Sequence, residues 1–212
     1  NAAIILLGRE ESEHFLSPAV CVIRWKLLAK EDKNKDFHNF HVPMIKSVEE
    51  ITTGYIRNNN YVYTVSGNIF PENMMRYDVF TLREPICNAI GHQDYGMGAR
   101  IELLEYEDEK LVIQNYGQFI PNSVEDVVEK DCPDSRYRNP FLMEAMCNIG
   151  MAETEGGGIR KLFVQQKKRF FPMPIYDLSG QKVRCEIQGK VLNENFAKIL
   201  VNNPTLSLPE II

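Results

Sequence analysis

Residues 78–93 constrain this chain more than any other stretch, because they carry two helical patterns at once. Glu84, Asn88 and His92 recur four residues apart, so on a helix they project from one face. An adjoining face is apolar and can anchor the helix in a core: Leu82, Ile86, Ala89 and Ile90. A carboxylate, an amide and an imidazole beside a buried stripe indicate the floor of a site for a polar ligand.

Glu84 also has a structural interpretation. Residues 81–84 match a capping box, in which Glu84 folds back onto the backbone N–H of Thr81 at the start of a helix. Pro85 favours a helix boundary at this point, because proline disfavours helical geometry at the residue before it. The sequence therefore leaves two roles open for Glu84, a cap or a chemical group in a site.

Three consecutive glycines, Gly156, Gly157 and Gly158, precede a predicted helix at residues 159–170. Glycines at a helix start leave backbone N–H groups accessible, and the helix dipole adds positive potential, so the pattern favours phosphate binding. The alternative is a tight loop-to-helix junction that needs glycine only for its backbone freedom. The chain contains no Walker P-loop, and no apolar strand precedes the glycines as in a Rossmann site.

Hydrophobic periodicity elsewhere predicts a mixed α+β chain. Strands are predicted at residues 19–28, 37–42, 61–65, 99–106, 110–114, 175–178 and 183–187. Further helices are predicted at residues 45–57, 124–128, 139–147 and 195–202, the third capped by Asn139 with Pro140 in its first turn. Charged residues 30–36, and residues 66–68 and 115–121, are predicted as turns.

Composition excludes several classes of function. The net charge of -5 argues against nucleic-acid binding by overall charge, which leaves only the basic run at residues 167–169 as a local candidate. Five cysteines without a CxxC pair indicate free thiols in a reducing cytoplasm. No apolar run approaches the ~18 residues of a membrane span, so no membrane partner is expected. His38 and His41 could hold a metal or simply face solvent.

The end of the chain has a helix start without a helix behind it. Ser207 is a candidate N-cap, with Pro209 in the first turn and Glu210 three residues after the serine. Only two residues follow Glu210. We therefore expect this sequence to be a fragment of a longer protein.

Four motifs in order resemble the GHKL-type (Bergerat-fold) ATPase module. They are L-R-E-x-x-x-N-A-x-x-H-x-D-Y from residue 82, N-x-G at 115–117, R-N-P at 138–140 and E-x-x-G-x-G-I at 153–159. The chain is most similar to the degenerate version in prokaryotic transcriptional regulators often labelled RecG-related. In those proteins the module usually follows an AlbA-like, Schlafen-type DNA-binding domain and precedes a winged helix.

This resemblance implies a two-layer α/β sandwich of GHKL type preceded by a small α/β unit. The implied domains are a connecting unit at residues 1–74, an ATP-binding domain at 75–190 and the start of a winged-helix-like segment at 191–212. Residues 118–155 would form the lid over the nucleotide.

The resemblance also implies roles for single residues. Glu84 takes the place of the general base and Asn88 that of the Mg²⁺ ligand, while Asn115 replaces the aspartate that reads adenine. The remaining nucleotide-binding candidates are His92, Gly117, Gly156, Gly157 and Gly158. Three features depart from the family pattern: an amide at position 115, a proline within the helix of Glu84, and the absence of a phosphate-binding lysine. Arg138, Arg160 and Lys161 are candidates to supply the missing charge.

Two hypotheses of different classes follow. The first is a module that binds ATP and Mg²⁺ and relays the state of the nucleotide to neighbouring DNA-binding domains. This hypothesis includes slow hydrolysis of ATP as one variant. It also allows a homodimer. The second is a non-catalytic scaffold or dimerisation domain with a vestigial pocket. A RecG-like helicase is disfavoured, because the motor motifs are absent.

Overall fold

The computed structural model describes residues 1–29, 32–63, 72–129, 136–152 and 157–211. Its helices are α1 Ala2–Leu7, α2 Met44–Glu50, α3 Val79–His92, α4 Val124–Glu129, α5 Pro140–Asn148, α6 Gly158–Lys168 and α7 Glu194–Asn202. Its strands are β1 Ile23–Leu28, β2 Asn34–Phe40, β3 Asn60–Tyr63, β4 Glu72–Met75, β5 Ile101–Tyr106, β6 Lys110–Tyr116, β7 Ile175–Asp177 and β8 Lys182–Gln188. Short 3-10 helices lie at Glu10–Leu16, Tyr95–Met97 and Leu208–Glu210, and a π-helical turn, Ile51–Tyr55, continues α2.

Six strands form one sheet in the order β2-β1-β5-β6-β8-β7, and β3 pairs with β4 separately. The pair β1 and β5 is parallel, whereas the other neighbours in the sheet are antiparallel. Along β5, buried and half-buried residues alternate, because successive side chains point to opposite faces of a sheet. One hydrophobic core contains buried residues from β1, β5, β6 and α3, among them Ile23, Leu103, Ile113 and Ile86. A six-stranded sheet packed against helices confirms the predicted two-layer α+β class.

Most predicted elements occur where the sequence placed them, but several bounds differ: the first strand, for example, begins at Ile23 and not at residue 19. The second strand begins at Asn34, so part of the segment predicted as a charged turn is strand. The predicted helix at residues 45–57 is an α-helix only as far as Glu50. The predicted strand at 61–65 is observed as β3 up to Tyr63, and its last two residues and the turn at 66–68 lie outside the described residues.

The sheet extends across the domain boundary predicted at residue 74. Strand β1 comes from the predicted connecting unit and pairs with β5 from the predicted ATP-binding domain, Ile23 opposite Ile101 and Leu28 opposite Tyr106. Hydrogen bonding therefore continues from one side of the boundary to the other. The boundary itself stays a prediction.

None of the helices in the described ranges is long and apolar enough to cross a membrane. The four cysteines within these ranges, Cys21, Cys87, Cys147 and Cys185, are free thiols. The fifth, Cys132, lies outside the described residues.

A buried carboxylate fixes the junction between the two sides of this boundary. Glu105 on β5 is buried, and its Oε2 accepts a hydrogen bond from Nε1 of Trp25 on β1 at 2.8 Å. Its Oε1 accepts one from the backbone N–H of Arg57 at 2.8 Å. Burial raises the pKa of the Glu105 carboxyl above its ordinary value. Each oxygen of this carboxylate therefore satisfies one donor from the first 60 residues.

We predict that Glu105→Gln lowers the free energy of unfolding by about 1–3 kcal/mol, because a glutamine presents one acceptor and an NH₂ group to two N–H donors. Since the pKa of Glu105 is raised, the folded wild type holds this proton more tightly than the unfolded chain. Wild-type stability therefore falls as pH rises from the ordinary value of a glutamate towards the raised value, and Glu105→Gln lacks this dependence.

Urea denaturation of both proteins at several pH values tests this prediction. Glu109→Gln is the matched control, because Glu109 has a half-exposed ion pair with Lys190 at 3.2 Å and its loss should cost less than about 1 kcal/mol. Equal stabilities of the Glu105→Gln and Glu109→Gln variants would contradict the proposed role of Glu105.

Candidate functional site

The N-terminus of α3 is capped by Asp78. Its Oδ1 accepts a hydrogen bond from the backbone N–H of Thr81 at 2.9 Å. The predicted capping box between Thr81 and Glu84 is therefore wrong, because the N–H group that Glu84 would bond is already engaged and the helix begins earlier. Pro85 lies inside α3, which continues to His92, so the predicted boundary at this proline is also wrong.

The polar stripe of α3 faces a cavity. Glu84 is 5% exposed, and its Oε1 accepts a hydrogen bond from Nδ2 of Asn88 at 3.0 Å. This bond engages the nitrogen end of the Asn88 amide, so the amide oxygen is the end that a ligand can approach. His92 lies one turn further along the same face and also lines the cavity. The helical spacing in the sequence thus corresponds to one wall of a single site.

The cavity has a volume of about 110 Å³. Its other walls come from β6 and β8, from the first turn of α6 and from the segment after β6. These walls are mainly apolar, and their residues include Ile113, Phe119, Ile120, Val183 and Cys185. An apolar chamber with a few convergent polar groups is the usual character of a small-molecule site.

Asn115 supplies a polar group from the sheet. It lies near the end of β6 opposite Val183 of β8, and it is 6% exposed. Its Nδ2 donates to the carbonyl of Tyr116 at 3.3 Å. Because a carbonyl can only accept, this contact identifies the nitrogen end of the amide, and the oxygen end accepts no hydrogen bond from the described residues.

Gly117 closes the turn after β6 rather than lining the cavity. Its φ is 114°, a conformation that favours glycine, and a Cβ built there would lie 2.7 Å from Nε of Arg138. Arg138 donates from Nη2 to the carbonyl of Gln118 at 2.9 Å, and its Nη1 lies 3.5 Å from Oδ2 of Asp94. Arg138, a candidate for phosphate charge, is therefore committed to contacts within the protein.

The glycine turn before α6 is partly described. Gly156 lies outside the described residues, Gly157 is the N-cap of α6, and Gly158 is its first residue and lines the cavity. Neither Gly157 nor Gly158 has a positive φ. Left-handed backbone is therefore not the reason for glycine at these two positions.

Sequence reasoning missed the polar junction that holds the end of α3. Gln93 is fully buried, its Nε2 donating to the carbonyl of Ala99 at 2.6 Å and its Oε1 accepting from the backbone N–H of Tyr116 at 2.8 Å. Asn139 donates to the carbonyls of Gly91 at 3.0 Å and Gln93 at 2.9 Å. An asparagine before a proline at a helix start is typical of a cap, yet the Asn139 side chain makes no cap bond to α5. Nothing in the local sequence points to its partners on α3.

Asn88 is the predicted metal ligand, and its role stays a prediction. Within the described ranges no group of three or more His, Cys, Asp or Glu residues could hold a metal ion. The ring of His38 packs against Phe40, with centroids 4.7 Å apart, and Nδ1 of His41 lies 2.8 Å from Oε2 of Glu13. A Mg²⁺ ion at Asn88 would therefore take its other ligands from nucleotide phosphates and water, which is common for this ion.

The basic run at residues 167–169 makes contacts inside the protein. Nζ of Lys167 donates to the carbonyl of Pro204 at 3.3 Å. Arg169 packs over the ring of Phe171 at 4.5 Å, and its Nη1 lies 3.9 Å from Oδ2 of Asp78. Two of the three cations are thus engaged, and nucleic-acid contact by this run stays a prediction.

His92 is kept neutral at physiological pH. Burial, and to a lesser extent the positive charge of Arg138, lower the pKa of His92 to about 4. The neutral imidazole has one nitrogen that donates and one that accepts, and its ring lies 5.6 Å from that of Tyr137. His92 can therefore bond a polar ligand without adding charge to the cavity.

A family model described as "Putative ATP-dependent DNA helicase recG C-terminal" (HATPase_c_4) matches residues 98–187. This range contains Asn115, Gly117 and the glycine turn, whereas α3 precedes it. Residues 98–187 are similar to an ATPase-like domain. No curated protein matches the chain.

The structure is also similar to the crystal structure of the DIP2311 protein from Corynebacterium diphtheriae, with a TM-score of 0.66 and 16% sequence identity. The similarity covers 83% of this chain and 36% of that chain, so this chain corresponds to about a third of DIP2311. At this identity the likeness concerns the fold alone.

We predict that the free energy of unfolding decreases by about 2 kcal/mol between pH 7 and pH 5 through His92, because its pKa is depressed in the folded chain. The unfolded chain binds this proton near pH 6.5 and the folded chain only near pH 4, so stability is lost as pH falls through this interval. His92→Gln should remove this part of the pH dependence.

Urea denaturation at pH 7 and pH 5 measures the difference. The control is His14→Gln, because His14 is exposed and lies on the Glu10–Leu16 turn. A pH dependence of His92→Gln equal to that of His14→Gln would contradict the neutral state of His92 in the folded chain.

Proposed function

We propose that this chain is an ATP-binding module of GHKL type that belongs to a DNA-binding transcriptional regulator and hydrolyses ATP slowly. The main support is that Glu84, Asn88, Asn115 and Gly158, from three separate parts of the chain, line one cavity. The match of residues 98–187 to an ATPase-like family adds independent support from sequence.

The chemistry of the walls suggests how the nucleotide lies. The oxygen of the buried Asn115 amide can accept a hydrogen bond from the amino group of adenine, with the apolar walls around the ring. The amide oxygen of Asn88 can bind a Mg²⁺ ion that also contacts the phosphates. Backbone N–H groups at the start of α6 and the helix dipole favour the phosphate charge.

Glu84 is the proposed general base. Its carboxylate lies at the same wall as Asn88, one helical turn away, and the hydrogen bond between them holds its orientation. In hydrolysis it would accept a proton from the water that attacks the terminal phosphate. Binding is the firmer part of the proposal, because it needs only the shape and polarity of the cavity.

The proposal also includes DNA binding by neighbouring domains and dimerisation of the chain. DNA would be bound by domains outside this stretch, which is consistent with the chain corresponding to 36% of the similar DIP2311 structure. A homodimer is the assembly in which one nucleotide-dependent module could act on a neighbouring copy.

A scaffold with a vestigial pocket is the second candidate, and the size of the cavity favours it. The cavity of about 110 Å³ is smaller than the roughly 300–1,000 Å³ of typical ligand sites. A whole nucleotide would require the walls to move apart. A scaffold would leave the cavity closed and bind no nucleotide.

Thermal melting with ATP and Mg²⁺ separates the two candidates. ATP at a hundred times Kd should stabilise the fold by ~2.7 kcal/mol, which is about 5–10 °C in Tm for a chain of this size. Asn88→Ala should lose the part of the shift that depends on Mg²⁺ and keep the part measured with EDTA. Asn195→Ala, at an exposed position of α7, is the control and should behave as wild type. The absence of a shift at millimolar ATP would favour the scaffold.

Glu84→Gln tests hydrolysis separately from binding. The amide keeps the size of the side chain and an oxygen for Asn88 but cannot accept a proton, so phosphate release should fall by roughly 10²–10⁴-fold with the ATP-induced Tm shift retained. Glu144→Gln, on the exposed side of α5, is the matched control. Turnover equal to that of the control would exclude Glu84 as the base.

A further inference from the structure

Gly158 lies so close to the side chain of Glu84 that residue 158 cannot carry a side chain unless Glu84 moves. A Cβ built on Gly158 would lie 1.6 Å from Oε1, 2.4 Å from Cδ and 3.2 Å from Cγ of Glu84. The neighbouring glycine differs: among the described residues, a Cβ on Gly157 would approach nothing nearer than Cε of Lys161 at 4.0 Å. The two glycines therefore have different reasons to be glycine.

Relief of this conflict requires the Glu84 carboxylate to move. Its side chain is 5% exposed and bonded to Asn88, so the space open to it is the cavity that it lines, and turning into that cavity breaks the bond to Asn88. A second contact connects the two helices: Arg169, directly after α6, forms an ion pair with Asp78, directly before α3. With contacts near both ends of α6, a methyl group at residue 158 has to displace the carboxylate.

We propose that Gly158 is a positioning residue, whose lack of a side chain holds the Glu84 carboxylate at the wall of the cavity. The catalytic consequence of this proposal rests on the proposed ATPase function, whereas the contact does not. Gly158 has no positive φ, so space and not backbone freedom is what glycine supplies here.

A double-mutant cycle in thermal stability tests the contact without any ligand. Gly158→Ala should lower Tm by about 3–8 °C, because the methyl group displaces the buried carboxylate from its hydrogen bond with Asn88. In the Glu84→Ala background the same substitution should change Tm by less than about 2 °C, because the group it overlaps is gone. If Gly158→Ala does not fold, recovery of folding in the double variant supports the same conclusion. An equal loss in both backgrounds would overturn the proposal.

Gly157→Ala is the matched control. Its own effect on the helix cap should be the same with and without Glu84, since its Cβ would not approach that residue. Coupling of Gly157 to Glu84 as strong as that of Gly158 would overturn the assignment of the contact to residue 158.

Kinetics of phosphate release test the positioning role. Gly158→Ala should lower kcat by about 10- to 100-fold with little change in KM, and should lower it no further when Glu84 is already alanine. A rise in KM without a fall in kcat, persisting in the Glu84→Ala background, would mean that the methyl group obstructs the nucleotide and does not act through Glu84, which would overturn the proposal. If the wild type neither binds nor hydrolyses ATP, the proposed function fails while the stability cycle still decides the contact.

Discussion

The site depends on the packing of α3 against the sheet and against α6. Leu82, Ile86 and Ile90 are at most 2% exposed and belong to the same core as the inner residues of β1, β5 and β6. This burial fixes the rotation of the helix, and with it the direction of the polar stripe. A buried carboxylate is costly unless it is hydrogen-bonded, and the Asn88 amide meets part of that requirement for Glu84. The apolar face thus determines the position of the polar one.

Helical periodicity made α3 and its polar stripe predictable, because both patterns are local. The start of the helix was less so, since Asp78 and Thr81 are both good N-cap residues and only the hydrogen bond to Thr81 decides between them. The helix also tolerates Pro85, which local rules place at a boundary; tertiary packing outweighs that preference. Local patterns therefore predict whether an element is a helix or a strand more reliably than they predict the residue at which it begins.

Contacts between distant elements were not predictable in the same way. The pairing of β1 with β5 crosses the predicted boundary at residue 74, and no local pattern encodes a partner some 80 residues away. The hydrogen bonds of Gln93 with Tyr116 and of Asn139 with Gly91 likewise join residues that are distant in sequence. The glycine run suggested phosphate binding or a tight turn, but the space taken by Glu84 appears only when α3 and α6 are placed together. The roles of the candidate site residues remain predictions.

The parallel pairing of β1 and β5 has a consequence for how this module can be divided. A chain cut at residue 75 would retain every candidate site residue yet lose β1 and β2. Strand β5 would then become an edge strand, with a row of unpaired N–H and C=O groups that can template pairing with another chain. The first forty residues, of which no described residue lines the cavity, thereby cover the edge of β5, and any insertion or excision of the module has to carry them along.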